Sequence, residues 1–163
     1  MGHVHDKNQL ILYVYLFSVD AENKICPMTL KRMPAGMPCT LGSTALFSSE
    51  ELREKANATF HKYEYRILES WKELGLSAYA KLAYRLVTMI PKDQVSKIAQ
   101  NLDKKTEDLS EIEQIFNLPV TQPCSADAMT YAYLVYFLVM CLEEHQYFDN
   151  KVTQDDVISL LFR

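Results

Sequence analysis

Local catalytic signatures are missing from this sequence. It contains no phosphate-binding loop, no GxGxxG, HExxH or GxSxG motif, no EF-hand pattern and no paired Glu-x-x-His motifs of the di-iron type. These absences disfavour the common enzyme classes, so a non-enzymatic function is the favoured prediction and no family is assigned. An active site assembled from scattered residues would leave no such trace, which keeps a catalytic function open.

Basic clusters are missing too. The net charge is −4, and no run of Lys or Arg is longer than two residues. Nucleic-acid binding normally requires a basic face that displaces counterions from phosphate. We therefore expect no nucleic-acid partner.

The four cysteines, Cys26, Cys39, Cys124 and Cys141, contain no CxxC pair, and the last of them lies within a hydrophobic run. In an intracellular chain this pattern favours reduced thiols that serve as small apolar residues. A cytoplasmic location is therefore expected. Secretion is the minority interpretation, because the apolar run 10–17 is short for a signal sequence and no net positive charge precedes it.

The longest hydrophobic run, residues 128–142, has no charged side chain. As a helix it rises only about 22 Å, less than the roughly 30 Å of a bilayer core, so no membrane span is expected. Because the run is apolar on every side, we predict a central buried helix over about 126–146 that other elements wrap. Ser125 as N-cap and Asp127 in the first turn support this helix start.

Capping residues and hydrophobic periodicity predict the other helices. Ser48 and Glu51 form a capping-box pattern ahead of an amphipathic helix of about seven turns, which Gly75 closes. Ser77 caps a second, nearly apolar helix that Pro91 ends. Shorter helical patterns cover residues 95–102, 106–116 and 153–162.

The fold class that follows is all-α. With 48% hydrophobic and 23% charged residues, the 163-residue chain is predicted to form one globular helical domain over residues 1–163. We predict an irregular bundle of about six or seven helices around the central hydrophobic helix. Residues 10–17 fit either a helix or a strand.

Residues 18–47 are predicted to form a long irregular loop, with a minor β element near residues 25–30. Three prolines and two glycines prevent a single helix, and structureless loops longer than about 15 residues tend to be functional. Methionines adapt to varied surfaces, and a basic pair can steer an acidic partner. The candidate partner-binding residues are Met28, Lys31, Arg32, Met33 and Met37.

The thiols and thioethers of this loop are also soft ligands of the kind that suit Cu(I). Their spacing is irregular and no histidine lies among them, which favours docking onto a core instead. We therefore predict no metal site and no cofactor.

Tyrosines form the next candidate group. Buried phenol groups need partners, so they form either a hydrogen-bonded seam or part of a ligand pocket, and the seam is favoured. The candidate pocket residues are Tyr79, Tyr84, Tyr133 and Tyr136.

Two histidines complete the candidates. If their helix ends met, His61 and His145 could ligate a metal or a haem, or serve a thiol such as that of Cys124 or Cys141. The ordinary interpretation is a surface His61 and a His145 that occupies a helix C-terminus.

Two functional hypotheses follow. The favoured one is a protein-binding or regulatory helical module that acts through a face of the bundle and the 18–47 loop. The alternative is a small-ligand-binding or catalytic helical bundle with a tyrosine-lined pocket and a Cys/His site. The first predicts an exposed apolar patch, and the second predicts a deep, polar-lined cavity.

Overall fold

A computed structural model describes residues 25–29, 31–73, 78–102, 116 and 125–162. Within these residues the chain divides between Arg85 and Leu86 into two compact units. The single domain that we expected from the chain length stays a prediction. The predicted element at residues 10–17, and the helical pattern at 106–116 apart from Phe116, lie outside the described residues.

A small antiparallel sheet shapes the N-terminal loop of the first unit. Strand β1, Met37–Pro38, pairs with strand β2, Leu46–Phe47, and Met37 lies opposite Phe47. Residues 39–45 connect the strands, and the Cys39 N–H donates to the Ala45 carbonyl oxygen at 3.0 Å. A minor β element was predicted for this region, but near residues 25–30; among the described residues of that range, Ile25 forms an isolated bridge with Arg32.

The close approach of this loop to β2 requires a glycine. A Cβ on Gly36 would lie 2.6 Å from the Leu46 Cβ, which is closer than real side chains pack. The described part of the predicted irregular loop is therefore a tight hairpin with a short bridged turn before it.

The helix predicted to start at Ser48 instead starts one residue later. Helix α1, Glu50–Ala56, has Ser49 as its N-cap, whose hydroxyl accepts the Leu52 N–H at 3.3 Å. Both serines can cap, and the chain uses the one whose backbone is extended at the helix entrance.

The predicted seven continuous turns are also interrupted. A π-helical turn, Asn57–His61, follows α1, then come α2, Lys62–Glu64, and α3, Ile67–Glu73. The Thr59 hydroxyl donates to the carbonyl oxygens of Lys55 at 2.8 Å and Ala56 at 3.2 Å. A side chain that binds these carbonyls competes with the regular backbone bonds, which gives the widened turn a local cause.

The core of the first unit lies where the hairpin meets these helices. Phe47, Ala56 and Phe60 form a buried cluster against which Met28 and Cys39 pack. Helix α4, Ala78–Met89, contributes Tyr84, whose ring meets Trp71 edge-to-face at 4.9 Å and whose hydroxyl donates to the Tyr63 carbonyl at 2.8 Å. Residues of α4 from Leu86 onwards belong to the second unit.

The second unit contains helices α5, Lys92–Gln100, α6, Ser125–Glu144, and α7, Gln154–Leu161. A hydrogen bond joins α5 to the start of α7: the Ser96 hydroxyl donates to Asp156 Oδ2 at 2.6 Å. Thr153 and Asp156 form a reciprocal capping box at that start.

Helix α6 covers the predicted hydrophobic helix, but the prediction that other elements wrap it is not confirmed. Val135, Leu138 and Leu142 are buried, whereas Tyr133 is 69% exposed and Tyr136 is 65% exposed. An apolar run specifies a helix without specifying what covers each side. None of the described helices is long and apolar enough to span a membrane.

The predicted number of helices is likewise not confirmed. Residues 103–115 and 117–124, where one predicted helix and the entry to the hydrophobic helix fall, lie outside the described residues.

Candidate functional site

A buried ion pair joins α2 to α4 in the first unit. Arg85 Nη2 donates to Glu64 Oε1 at 2.6 Å, and Arg85 Nε donates to Oε2 at 3.1 Å. Both side chains are buried, and the guanidinium also lies over the Phe60 ring, 4.6 Å from its centroid. The two-pronged contact holds the Glu64 carboxylate in a single orientation.

The same carboxylate holds an imidazole. Glu64 Oε1 lies 3.1 Å from His61 Nδ1, and the two residues are one helical turn apart, across the end of the π-helical turn. Burial alone would raise the pKa of the Glu64 carboxyl, but the Arg85 charge and the hydrogen bonds from His61 and Arg85 outweigh it and lower that pKa. Glu64 is therefore ionised at neutral pH and can only accept, so Nδ1 carries the hydrogen in this contact.

The other imidazole nitrogen faces the hairpin loop. His61 Nε2 lies 3.1 Å from Cys39 Sγ and 2.9 Å from Ser43 Oγ. With the hydrogen on Nδ1, the neutral ring presents a lone pair at Nε2 to the thiol, which is the orientation that a base requires.

Aromatic packing fixes the ring in this position. His61 is fully buried and meets the rings of Phe47 and Phe60 edge-to-face, at centroid distances of 5.4 Å and 6.3 Å. An imidazole enclosed in this way, with a carboxylate on one side, has little freedom to rotate away from the sulfur.

Loop 39–45 directs a backbone N–H at the sulfur atom and holds the Ser43 hydroxyl, a second hydrogen-bond partner of this thiol. The Leu41 N–H donates to Cys39 Sγ at 3.2 Å, and the Ala45 N–H donates to Ser43 Oγ at 3.3 Å. Gly42 has a φ of 97°, a left-handed conformation that glycine adopts without strain and that turns the chain back towards β2. Cys39 itself is only half-buried, whereas the imidazole behind it is enclosed.

These contacts lower the pKa of the thiol and raise the pKa of the imidazole. Burial raises the pKa of the Cys39 thiol, but hydrogen bonds from Ser43, the Leu41 backbone and His61 lower it overall, from 9.0 to about 7. Burial lowers the pKa of His61, but Glu64 and then Cys39 raise it above 6.5 overall. A proton can therefore pass from sulfur to nitrogen near neutral pH, and the two groups titrate as a pair.

The resulting chain of contacts is thiol, imidazole, carboxylate. It matches the arrangement of a nucleophile, a base and a group that orients the base, with Arg85 as a further support. Among the described residues no group of three or more His, Cys, Asp or Glu side chains is placed to hold a metal ion.

The predicted partner-binding residues lie in the same unit but outside this cluster. Lys31 and Arg32 are exposed, and Met37 is 41% exposed. Met33 is half-buried, and Met28 packs against the Phe47 cluster, as a docking residue would. A partner surface formed by these residues stays a prediction.

The four candidate pocket tyrosines have different surroundings. Tyr84 is fully buried with its hydroxyl bonded to a backbone carbonyl, which is the seam-like role that was favoured. Tyr133 and Tyr136 are exposed on α6 in the second unit, and the side chain of Tyr79 lies outside the described residues. The ligand pocket stays a prediction.

His61 was predicted at the surface, and the cluster that it forms with Cys39, Glu64 and Arg85 was not predicted. The interpretation of His61 as a surface residue is wrong, because the π-helical turn and the hairpin enclose it. The spacing of His61 and Glu64, one turn apart, was a visible signal, since residues at i and i+3 are neighbours on a helix. Nothing in the sequence indicated Cys39, which is 22 residues away from His61.

Comparison of this chain with known proteins identifies no relative. No protein-family model, no characterised protein and no solved structure matches it.

Proposed function

We propose that the first unit is a thiol-dependent catalytic module in which Cys39 is the nucleophile and His61 is its base. The observation that supports this proposal is the position of one buried imidazole, 3.1 Å from the Cys39 sulfur on one side and 3.1 Å from the Glu64 carboxylate on the other. Glu64 and Arg85 are positioning residues, because they act through the imidazole.

The reaction begins with transfer of the thiol proton from Cys39 to His61 Nε2. Glu64 stabilises the imidazolium that forms and keeps the hydrogen on Nδ1. The thiolate then attacks an electrophilic atom, a bond from sulfur to that atom forms, and the bond to the leaving group breaks with its electron pair. The proton on Nε2 passes to the leaving group, which restores the neutral ring.

A second thiol in the same unit provides an internal contrast. Cys26 is fully buried, and its sulfur accepts a hydrogen bond from the Ser48 hydroxyl at 3.3 Å. Burial raises the pKa of the Cys26 thiol, but hydrogen bonds, chiefly from Ser48, lower it overall to about 7, as for Cys39. The contrast therefore lies in access, because an enclosed sulfur is out of reach of a substrate. Cys39 differs in being half-buried and in contacting an imidazole.

The test is the rate of alkylation of Cys39 by iodoacetamide as a function of pH, with the labelled residue identified by mass spectrometry. We expect the rate to reach half its maximum near pH 7, because the pKa of this thiol is lowered to about 7. In His61→Gln the midpoint should rise but stay below 9.0, because the Ser43 and Leu41 hydrogen bonds, which lower this pKa more than His61 does, remain. At pH 7 that variant should react more slowly, since the thiolate fraction falls.

Two controls keep this test decisive. Ser48→Ala changes the matched hydroxyl beside Cys26 and should leave the alkylation profile of Cys39 unchanged. The wild-type protein unfolded in urea gives the profile of a free thiol, which serves as the reference if His61→Gln does not fold. A folded wild-type protein whose Cys39 reacts like the unfolded reference would exclude the proposal.

Partner binding by the 18–47 loop is the second candidate function. The exposure of Lys31, Arg32 and Met37 favours it, because a basic pair beside an accessible methionine suits an acidic partner with an apolar contact. The triple variant Arg32→Glu, Met33→Ser and Met37→Ser should keep its melting temperature within a few degrees yet lose capture of a native partner. Capture at wild-type affinity would count against this loop as the binding surface.

A further inference from the structure

We infer that the electrophile for Cys39 is a hydroperoxide, so that the site converts its thiolate to a sulfenic acid while His61 protonates the leaving oxygen. The inference rests on the proposed thiol-dependent function and adds the class of substrate. Three features of the described site carry it: the engaged backbone N–H of Cys39, the donors around its sulfur, and the place of an oxygen atom beside the imidazole.

The first feature disfavours an acyl substrate. Acyl transfer needs N–H donors directed at the oxygen of the tetrahedral intermediate, and the backbone N–H of the nucleophile commonly supplies one. Here the Cys39 N–H donates to the Ala45 carbonyl at 3.0 Å, within the hairpin. The nucleophile's own N–H is therefore engaged where an acyl substrate would need it.

The second feature is that the donors converge on the sulfur itself. The Leu41 N–H lies 3.2 Å from Cys39 Sγ, and His61 Nε2, which becomes a donor once it has taken the thiol proton, lies 3.1 Å from it. Donors in these positions stabilise negative charge on the sulfur, and they remain within reach of an oxygen atom bonded to it. They suit a reaction in which sulfur gains an oxygen and no charge develops on a carbonyl.

The third feature is the hydroxyl of Ser43. Its oxygen lies 2.9 Å from His61 Nε2, while the same nitrogen lies 3.1 Å from the Cys39 sulfur. The edge of the imidazole thus accommodates a sulfur and an oxygen side by side. A peroxide that reacts with the thiolate must put its leaving oxygen in this kind of position to receive a proton from Nε2.

The step balances without any further reagent. The thiolate attacks the terminal oxygen of ROOH, a sulfur–oxygen bond forms, and the oxygen–oxygen bond breaks. Sulfur is oxidised by two electrons to the sulfenic acid, and the electron pair leaves with the RO⁻ group. The imidazolium of His61 protonates that group, which departs as ROH and leaves the ring neutral.

The experiment compares two reactions of the same thiolate. Iodide leaves iodoacetamide without a proton, whereas the oxygen that leaves hydrogen peroxide needs one, so the ratio of the two second-order rate constants isolates proton donation by His61. Sulfenic acid on Cys39 is trapped with dimedone and located by mass spectrometry. We expect this ratio to be about a hundredfold larger for the folded protein than for the protein unfolded in urea, the lower end of what a general acid contributes.

Variants of the neighbouring residues sharpen the comparison. In His61→Gln the ratio should fall to that of the unfolded protein, and in Ser43→Ala the peroxide rate should fall by a larger factor than the alkylation rate. Ser48→Ala, beside Cys26, should keep the wild-type ratio. If His61→Gln does not fold, the folded and unfolded wild-type protein still decide the question.

The outcomes separate this inference from the proposed function. Fast alkylation near pH 7 with a peroxide-to-alkylation ratio equal to that of the unfolded protein would overturn the hydroperoxide inference and leave the thiol site standing. Slow alkylation, as in the unfolded protein, would overturn both. Turnover of 4-nitrophenyl acetate through an acyl group on Cys39, without a raised ratio, would replace the hydroperoxide with an acyl substrate.

Discussion

Each unit of this protein contains a cysteine and a histidine near one another, and the two pairs differ in what the imidazole faces. In the first unit, Cys39 and His61 are 22 residues apart in sequence, and the ring nitrogen meets the sulfur. In the second unit, Cys141 and His145 are four residues apart at the end of α6, and His145 Nδ1 lies 2.8 Å from the Cys141 carbonyl oxygen.

The difference teaches that nearness in the sequence does not make a site. A histidine in the last turn of a helix has the carbonyl of the preceding turn within reach. The negative end of the helix dipole also favours a side chain that can carry a positive charge there. A ring that must face a sulfur needs a second element to bring the sulfur to it. In the first unit the hairpin is that element and contains Cys39, whereas the π-helical turn contains His61.

The two units also differ in how they use charge. The first unit buries the ion pair of Glu64 and Arg85 beside His61, whereas in the second unit Lys92 and Asp149 form a partly exposed pair at 2.9 Å. Buried charges are stable only as a set, because each partner left alone would carry its full desolvation penalty.

The largest effect is expected from removing one charge of the buried pair of Glu64 and Arg85. Glu64→Gln leaves the Arg85 charge without its carboxylate, and we expect it to lower the free energy of unfolding by about 3 to 5 kcal/mol, measured by urea denaturation. The double variant Glu64→Leu and Arg85→Met should be less destabilised than Glu64→Gln, because no buried charge remains.

The matched change in the second unit is Asp149→Asn. It removes one partner of a pair that solvent screens, so its effect on unfolding should be far smaller than that of Glu64→Gln. Equal effects of the two substitutions would show that burial does not distinguish the pairs.

The next effect compares the two halves of α6. Leu142→Ala should lower the free energy of unfolding by about 2 to 5 kcal/mol, because that side chain is fully buried and its truncation leaves a cavity. Tyr133→Ala, in the exposed first half of the helix, should change it by no more than about 0.5 kcal/mol. A large loss of stability in Tyr133→Ala would mean that this half is covered in solution.

A pH-dependent effect tests the state of His61. Burial lowers its pKa, but Glu64 raises it above 6.5 overall, so protonation favours the folded state. The stabilisation is fully present below pH 6.5 and is lost as the pH rises through the raised folded-state pKa.

The measurement uses a Cys39→Ser background, which removes the titrating thiol. The difference in unfolding free energy between this variant and the same variant with His61→Gln should shrink between about pH 5 and pH 8. A difference that stays constant, or grows, over this range would contradict the raised pKa.

The smallest effect compares the helix caps of the two units. Thr153 forms a reciprocal capping box with Asp156, whereas Ser49 makes a single cap bond to the Leu52 N–H. Thr153→Ala should lower the free energy of unfolding by about 1 kcal/mol, and Ser49→Ala should cost less. Thermal denaturation of the two variants measures both losses of stability. A larger loss in Ser49→Ala than in Thr153→Ala would contradict the prediction that the reciprocal capping box stabilises its helix more.

Local chemistry was enough to locate several elements. Helix α6 begins at Ser125, the residue predicted as its N-cap, and α7, Gln154–Leu161, lies within the predicted pattern 153–162. Helix starts can be located to within about a residue in this way, because a cap depends on residues within one turn of each other. The start of α1 differed by one residue, since two adjacent serines could both serve as the cap. Such features involve neighbours in the chain, and the sequence lists those neighbours.

The candidate site could not be found in this way. Its carboxylate and imidazole are neighbours along one helix, but Cys39 reaches them through a hairpin and Arg85 reaches them from α4, 21 residues beyond Glu64. The π-helical turn also rotates the side chains that follow it around the helix axis, and a regular hydrophobic period does not predict this shift.

The sequence by itself determined that this chain forms capped, largely apolar helices, because hydrophobic period and hydrogen-bonding side chains act over three or four residues. Only the tertiary structure decided that His61 is enclosed, that Cys39 meets it, and that residues 127–133 of α6 are exposed. The physical reason is that burial and side-chain contact depend on which distant segment packs where. That choice follows from the sum of many weak contacts across the fold, and no single stretch of the sequence contains it.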